Sequence, residues 1–112
     1  MICYDLDNIG ATLSGDITVK QSLAENSTTV NVPASLIEVT LMAVNSLRRE
    51  VTVQNNSNGV MYVIRGGGVT STNYNWKLKR GDHLTIDDFR GNIKGIFVSA
   101  IGFAMVSESY YT

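Results

Sequence analysis

The sequence predicts an all-β protein, an antiparallel β-sandwich of jelly-roll type. Three observations point there. Short runs of strand-forming residues alternate with period two, clusters of Asn, Gly and Asp separate them, and no stretch sustains a helical period over several turns. Seven or eight such runs give the spacing of a sandwich or jelly roll. At 112 residues the chain forms one domain, residues 15–112, preceded by an N-terminal arm, residues 1–14. A chain of this size buries roughly two thirds of its unfolded surface and holds a core without covalent staples.

The arm, Met1 to Ser14, contains Ile2, Tyr4, Leu6, Ile9 and Leu13 among Gly, Asn and Ser, with no sustained period. It is too apolar for a free tail and is expected either to order against a neighbour or to pack on its own domain. Asp16 to Lys20 alternates once, and Gln21 to Glu25 fits a single helical turn. Thr28 to Val32 alternates and ends at Pro33, which belongs at a strand end or on an edge. Leu36 to Val44 fits either period; its β-branched Val39, Thr40 and Val44 favour a strand.

The stretch Arg48 to Ile64 reads as a hairpin. Glu50 to Gln54 and Val60 to Ile64 are strand-forming, and Asn55-Asn56-Ser57-Asn58-Gly59 between them suits a reversal. The first strand alternates, while the second is apolar on both faces, as expected inside a sheet or an interface. Trp76 to Leu78 and Leu84 to Ile86 form a second expected hairpin around Arg80-Gly81-Asp82. Gly91-Asn92 turns the chain into a strand from Lys94 to Ala100, and Phe103 to Tyr110 is the last. The expected core is Val51, Val53, Leu84, Ile86, Val98 and Phe103.

Cys3 is the only cysteine, so no intramolecular disulfide forms, and the natural reading is assembly in a reducing compartment. Asp5 and Asp7 interrupt any signal-like apolar run, and the longest apolar stretch, Gly95 to Val106, is about half of the ~20 residues that a membrane span needs. A soluble protein is expected, with no membrane contact. The sequons at Asn26 and Asn55 are read as turn chemistry. Net charge is −1, but residues 1–47 carry Lys20 against five acids, whereas residues 48–94 carry eight bases against four acids. Such a split suits either an ordinary solvated surface or complementary docking patches.

Catalysis is disfavoured by inventory. His83 and Cys3 are the only residues of their kinds and lie far apart in sequence. Asp5 to Asp16 departs from a calcium loop at Ile9 and Asp16, and the adjacent Asp87 and Asp88 point to opposite strand faces. The expectation is no enzyme, no metal and no cofactor. Gly66-Gly67-Gly68 lacks the Lys-Ser/Thr of a phosphate loop and reads as a flexible connection; Arg80-Gly81-Asp82 reads as a turn before an adhesion motif. Nucleic-acid binding is disfavoured by the net charge. Tyr62, Tyr74, Trp76, Tyr110 and Tyr111 offer flat faces for sugar stacking or are core residues.

The order NSLRR (Asn45 to Arg49), VTVQNNS (Val51 to Ser57), a strand with Tyr62, a Gly-rich loop, LKRGD (Leu78 to Asp82) and LTIDDF (Leu84 to Phe89) resembles the capsid decoration, or stapling, proteins of short-tailed bacteriophages of the epsilon type that infect Salmonella. The resemblance covers residues 28–112. It implies a jelly-roll-like fold, non-covalent binding to major capsid proteins on the outside of a virion assembled in the host cytoplasm, and no catalysis. Expected partner contacts are Ile2, Tyr4, Leu6 and Ile9 of the arm and the bases Arg48, Arg49, Lys77, Lys79 and Arg80. A homodimer is expected from the doubly apolar strand and the opposed charges of the two halves. The alternative reading is a carbohydrate-binding sandwich that uses the tyrosines and Trp76.

Overall fold

The computed structural model describes residues 26–111. The arm with Ile2, Tyr4, Leu6 and Ile9, Cys3, the calcium-like segment and the segments expected at residues 16–25 lie outside the described residues, as does the domain's start at residue 15. Eight strands follow: β1 Asn26–Pro33, β2 Val39–Met42, β3 Arg48–Ser57, β4 Met61–Arg65, β5 Trp76–Leu78, β6 His83–Ile86, β7 Ile93–Phe97 and β8 Gly102–Tyr110. They form two four-stranded sheets, β1-β8-β3-β6 and β2-β7-β4-β5, in which every pairing is antiparallel. Apart from the β4–β5 connection, every link crosses from one sheet to the other. That is the strand order of a jelly roll.

Alternation fills the space between the sheets. The first sheet contributes Val51, Val53, Ile86, Ala104 and Val106, and the second contributes Leu41, Met61, Val63, Leu78, Ile93 and Phe97. Successive side chains of a strand point to opposite faces, so Ile93, Gly95 and Phe97 of β7 all turn inward. At Gly95 the missing Cβ is what makes room for Leu41, whose Cδ1 would lie 2.8 Å from it. β4 lies between β7 and β5; Met61 and Val63 fill its inner face, and on its outer face Tyr62 has the Tyr74 ring 4.8 Å away.

Four expectations need correction. Both expected hairpins are corners between sheets: β3 and β5 each hand the chain across to the opposite sheet, and neither β3–β4 nor β5–β6 is a paired couple. Asn55, Asn56 and Ser57 continue β3, opposite Ala104, Phe103 and Gly102, so the polar cluster does not itself turn. In β8 the inward positions are Ala104 and Val106, which puts Phe103 half-buried on the outer face. Val98 lies beyond the end of β7 and is exposed. Val51, Val53 and Ile86 face the core as expected, and Leu84 packs against it. Pro33 closes an edge strand, where its missing N–H costs no ladder bond.

Candidate interaction surfaces

Two buried polar nodes close the ends of the sandwich, one at each end of β3. At the first, Asn55 has no exposed surface. Its Nδ2 donates to the carbonyls of Gly59 (2.8 Å) and Leu78 (2.9 Å), and its Oδ1 accepts from the Ser57 amide at 2.9 Å. Its backbone accepts from Gly81 N (2.7 Å) and donates to Asp82 O (2.9 Å). One side chain thus pins both inter-sheet corners, and buried amides must find such partners. Gly81 takes φ +88° at the tip of the second corner, where Asp82 Oδ2 accepts from the Lys79 amide at 2.9 Å. The Arg-Gly-Asp carboxylate is therefore engaged by its own turn.

At the other end, Arg48 is 1 % exposed. Its Nε donates to Glu108 Oε2 at 2.6 Å, and its remaining nitrogens donate to the carbonyls of Ala43, Phe89 and Gly91. Asn45 Nδ2 donates to the second Glu108 oxygen at 3.2 Å. Strict alternation from Val51 and Val53 would put Arg49 inside and Arg48 outside. A register shift between Arg48 and Glu50 against β8 reverses that phase. Arg48 is therefore an interior residue and not a surface contact, because its guanidinium is committed to four oxygens of its own domain.

At the first end, three connections are hydrogen-bonded together: Ala34 N to Gly102 O, Phe97 N to Ser35 O, Asn58 N to Ile101 O and Val98 N to Val60 O, all between 2.9 and 3.0 Å. They carry Leu36, Ile37, Val98 and Ile101, each more than half exposed. Arg80 borders them, with its guanidinium on Asn58 Oδ1 at 3.1 Å. Lys77 and Lys79 are exposed nearby on and after β5. Arg49, also exposed and paired with Glu50 at 3.0 Å, lies at the far end of β3, roughly 20 Å away at about 3.4 Å per residue. The expected basic residues therefore split into an Arg80 group, a remote Arg49 and a buried Arg48.

The Gly-rich loop is held by an acid. Glu38 Oε1 accepts the amides of Gly68 and Val69, both at 2.8 Å, while Gly66 and Gly68 adopt φ of +93° and +81°. Consecutive amides with alternating backbone hand make an anion-binding concavity, and this one is filled by the chain's own carboxylate. The loop, Gly66 to Asn75, buries Val69 and brings Tyr74 to 4.8 Å from Tyr62, ring centre to ring centre. A cavity of about 280 Å³ opens beside it, lined by Tyr62, Thr70, Ser71, Ile96, Phe97 and Val98. Trp76 is partly buried against the core, with the Arg65 guanidinium over its ring at 5.2 Å. Tyr110 is half-buried, its hydroxyl 3.5 Å from Thr28 Oγ1. Asp88 pairs with Arg65 at 3.1 Å, and His83 is exposed on an edge strand. Among the described residues no three His, Cys, Asp or Glu side chains gather as a metal site, and no helix is long and apolar enough to cross a membrane.

Sequence reasoning missed Asn55, Glu38 and Glu108. Parity offered one signal. Ala104, Val106 and Glu108 share a strand face, so an inward Ala104 and Val106 imply an inward acid that needs a cation.

Comparison with known proteins adds little. No family model matches the chain, and no curated protein matches it. A solved structure, described under the words "Bacillus endospore appendages form a novel family of disulfide-linked pili", is similar over 78% of this chain and 87% of its own, with 15% identity and a TM-score of 0.47. Nothing about partners or assembly passes from one to the other at that level.

Proposed function

We propose that this chain is a virion structural protein, a jelly-roll module that decorates and staples the outer surface of a bacteriophage capsid through non-covalent contacts with major capsid proteins. The observation that carries this reading is the apolar end of the sandwich. Leu36, Ile37, Val98 and Ile101 are exposed on connections held together by backbone hydrogen bonds, and Arg80 lies at their border. An apolar patch with a polar rim is the form of a protein-docking surface. The buried Asn55 fixes one of those connections, β3–β4, through Gly59 O at 2.8 Å. In this reading Arg80, Lys77 and Lys79 form the charged rim, and the arm residues Ile2, Tyr4, Leu6 and Ile9 add apolar area at ~25 cal/mol per Å². The test is co-sedimentation with icosahedral particles stripped of their decoration. Retention of the wild type, and its loss in a folded Ile37→Asp, Ile101→Asp double variant, support the reading; equal retention of both overturns it.

A second reading rests on the cavity beside Tyr62. Paired aromatic rings beside the hydroxyls of Thr70 and Ser71 suit a sugar ring, whose faces are apolar and whose edge is polar. Glycan-array binding that disappears in Tyr62→Ala would favour a carbohydrate-binding module.

A further inference from the structure

Sheet edges are templates for adding strands, and proteins blunt them with short strands, charges or bulges. Three of the four edges here are blunted. β2 has four residues and a register shift between Thr40 and Met42. β5 has three residues with an exposed Lys77 at its centre. β6 has four residues and runs into the exposed Asp87-Asp88.

The fourth edge is different. β1 runs for eight residues, NSTTVNVP, with no charged side chain, and it pairs with β8 from Asn26 opposite Tyr110 to Pro33 opposite Phe103 without a shift. Every residue but Val32 is exposed, including Val30. Among the described residues nothing pairs with its outer edge.

We propose that this edge is a seam between two copies of the chain, in which β1 pairs antiparallel with β1 of a second copy about a two-fold axis. Pro33 has no N–H to give, so the matched segment is Asn26 to Val32 and its centre is Thr29. Thr28 then faces Val30 of the second copy, and Asn31 faces its Ser27. No like charges meet, as a two-fold edge requires. Self-pairing of β5 would oppose Lys77 to Lys77. The union joins two four-stranded sheets into one of eight strands. It deepens the assembly reading by placing the copy-to-copy contact along the β1 edge rather than on the exposed apolar residues Leu36, Ile37, Val98 and Ile101. A chain that dimerises through β1 yet ignores capsids overturns only the capsid reading.

The experiment is sedimentation equilibrium of the full-length protein from micromolar to millimolar concentration. Wild type is expected to show a monomer–dimer equilibrium. Thr29→Lys sets two ammonium groups at the axis and should raise the dissociation constant at least ~10-fold, as should Thr29→Glu, while an equimolar mixture of the two variants recovers association. Thr85→Lys, on the same outer face but on the far edge, should leave it unchanged. A second readout is amide hydrogen exchange of wild-type β1, with protection that rises with concentration. Strict monomer throughout, undiminished dimer in Thr29→Lys, or full protection of β1 at the lowest concentration would each overturn the seam; the last would assign the edge to the chain's own N-terminal segment.

Discussion

Arg48 and Glu108, 60 residues apart in sequence, meet at 2.6 Å inside the sandwich, and the same guanidinium holds three backbone carbonyls. Removing one partner of a buried pair leaves the other charge uncompensated. Arg48→Ala is therefore expected to cost about 3–5 kcal/mol, measured by urea denaturation. An Arg48→Met, Glu108→Leu double variant should be more stable than the single one, because neither charge remains to be desolvated. A double variant no better than Arg48→Ala would show that the carbonyl contacts matter more than the ion pair.

Asn55 carries the other end. Asn55→Ala takes away the donor to the Leu78 carbonyl and the acceptor of the Ser57 amide, each at about 1–3 kcal/mol, whereas the Gly59 carbonyl keeps the Ser57 hydroxyl at 3.0 Å. The loss should reach at least ~2 kcal/mol. Asn55→Asp should fare no better despite its shape, since it turns two donors into an acceptor facing carbonyls. A melting temperature for Asn55→Asp close to wild type would remove Asn55 as the pin of both corners.

Gly102 combines φ +99° with a Cβ position 2.6 Å from Asn56 O and 2.7 Å from Ser57 Cα. Backbone cannot yield as a side-chain tip can. Gly102→Ala should cost more than the ~1–3 kcal/mol of backbone strain alone. Gly95→Ala meets Leu41, a movable side chain, and should cost about 1–3 kcal/mol. A Gly95→Ala, Leu41→Ala pair should cost less than the sum of the two single changes, a coupling that a double-mutant cycle reads directly.

On the proposed capsid reading, attachment should respond modestly to salt. Lys77, Lys79 and Arg80 are exposed, and solvent screens a charged rim within about 8–10 Å at physiological ionic strength. Reversing Lys79 and Arg80 to Glu should therefore weaken retention less than the Ile37→Asp, Ile101→Asp change does. Co-sedimentation at two salt concentrations checks the order of the effects.

Much of the architecture was legible in the sequence. Alternation at Val51 and Val53, the turn at Gly81 and the edge position of Pro33 sufficed for an antiparallel sandwich. Partner choice was not legible, because a short Asn/Gly link looks the same whether the next strand pairs beside the last one or crosses to the facing sheet. What decides it is the buried Asn55, whose bonds reach Leu78 and Gly81, residues distant in sequence. Arg48 was misplaced for a similar reason. One inserted residue in β3 reverses the inside and outside of everything before it, and periodicity carries no mark of where a bulge falls. The apolar end was missed because Val98 reads as core, Ile37 sits in a run of strand formers, and Ile101 falls in the gap between two expected strands.

The place of β8 in the first sheet sets a condition on how the molecule is made. It lies between β1 and β3, so among the described residues β1 has no partner in the sheet until β8 arrives, with Asn26 and Tyr110 closing a loop that spans nearly all of them. During synthesis β3 and β6 can already pair, while β1 waits for β8. Closing such a loop late makes folding slow, in the millisecond-to-second range of domains dominated by distant contacts. Ribosome-stalled chains ending before Gly102 should accordingly be protease-sensitive in β1 and protected in β3, and the interval before release is when this chain is most exposed to joining the wrong neighbour.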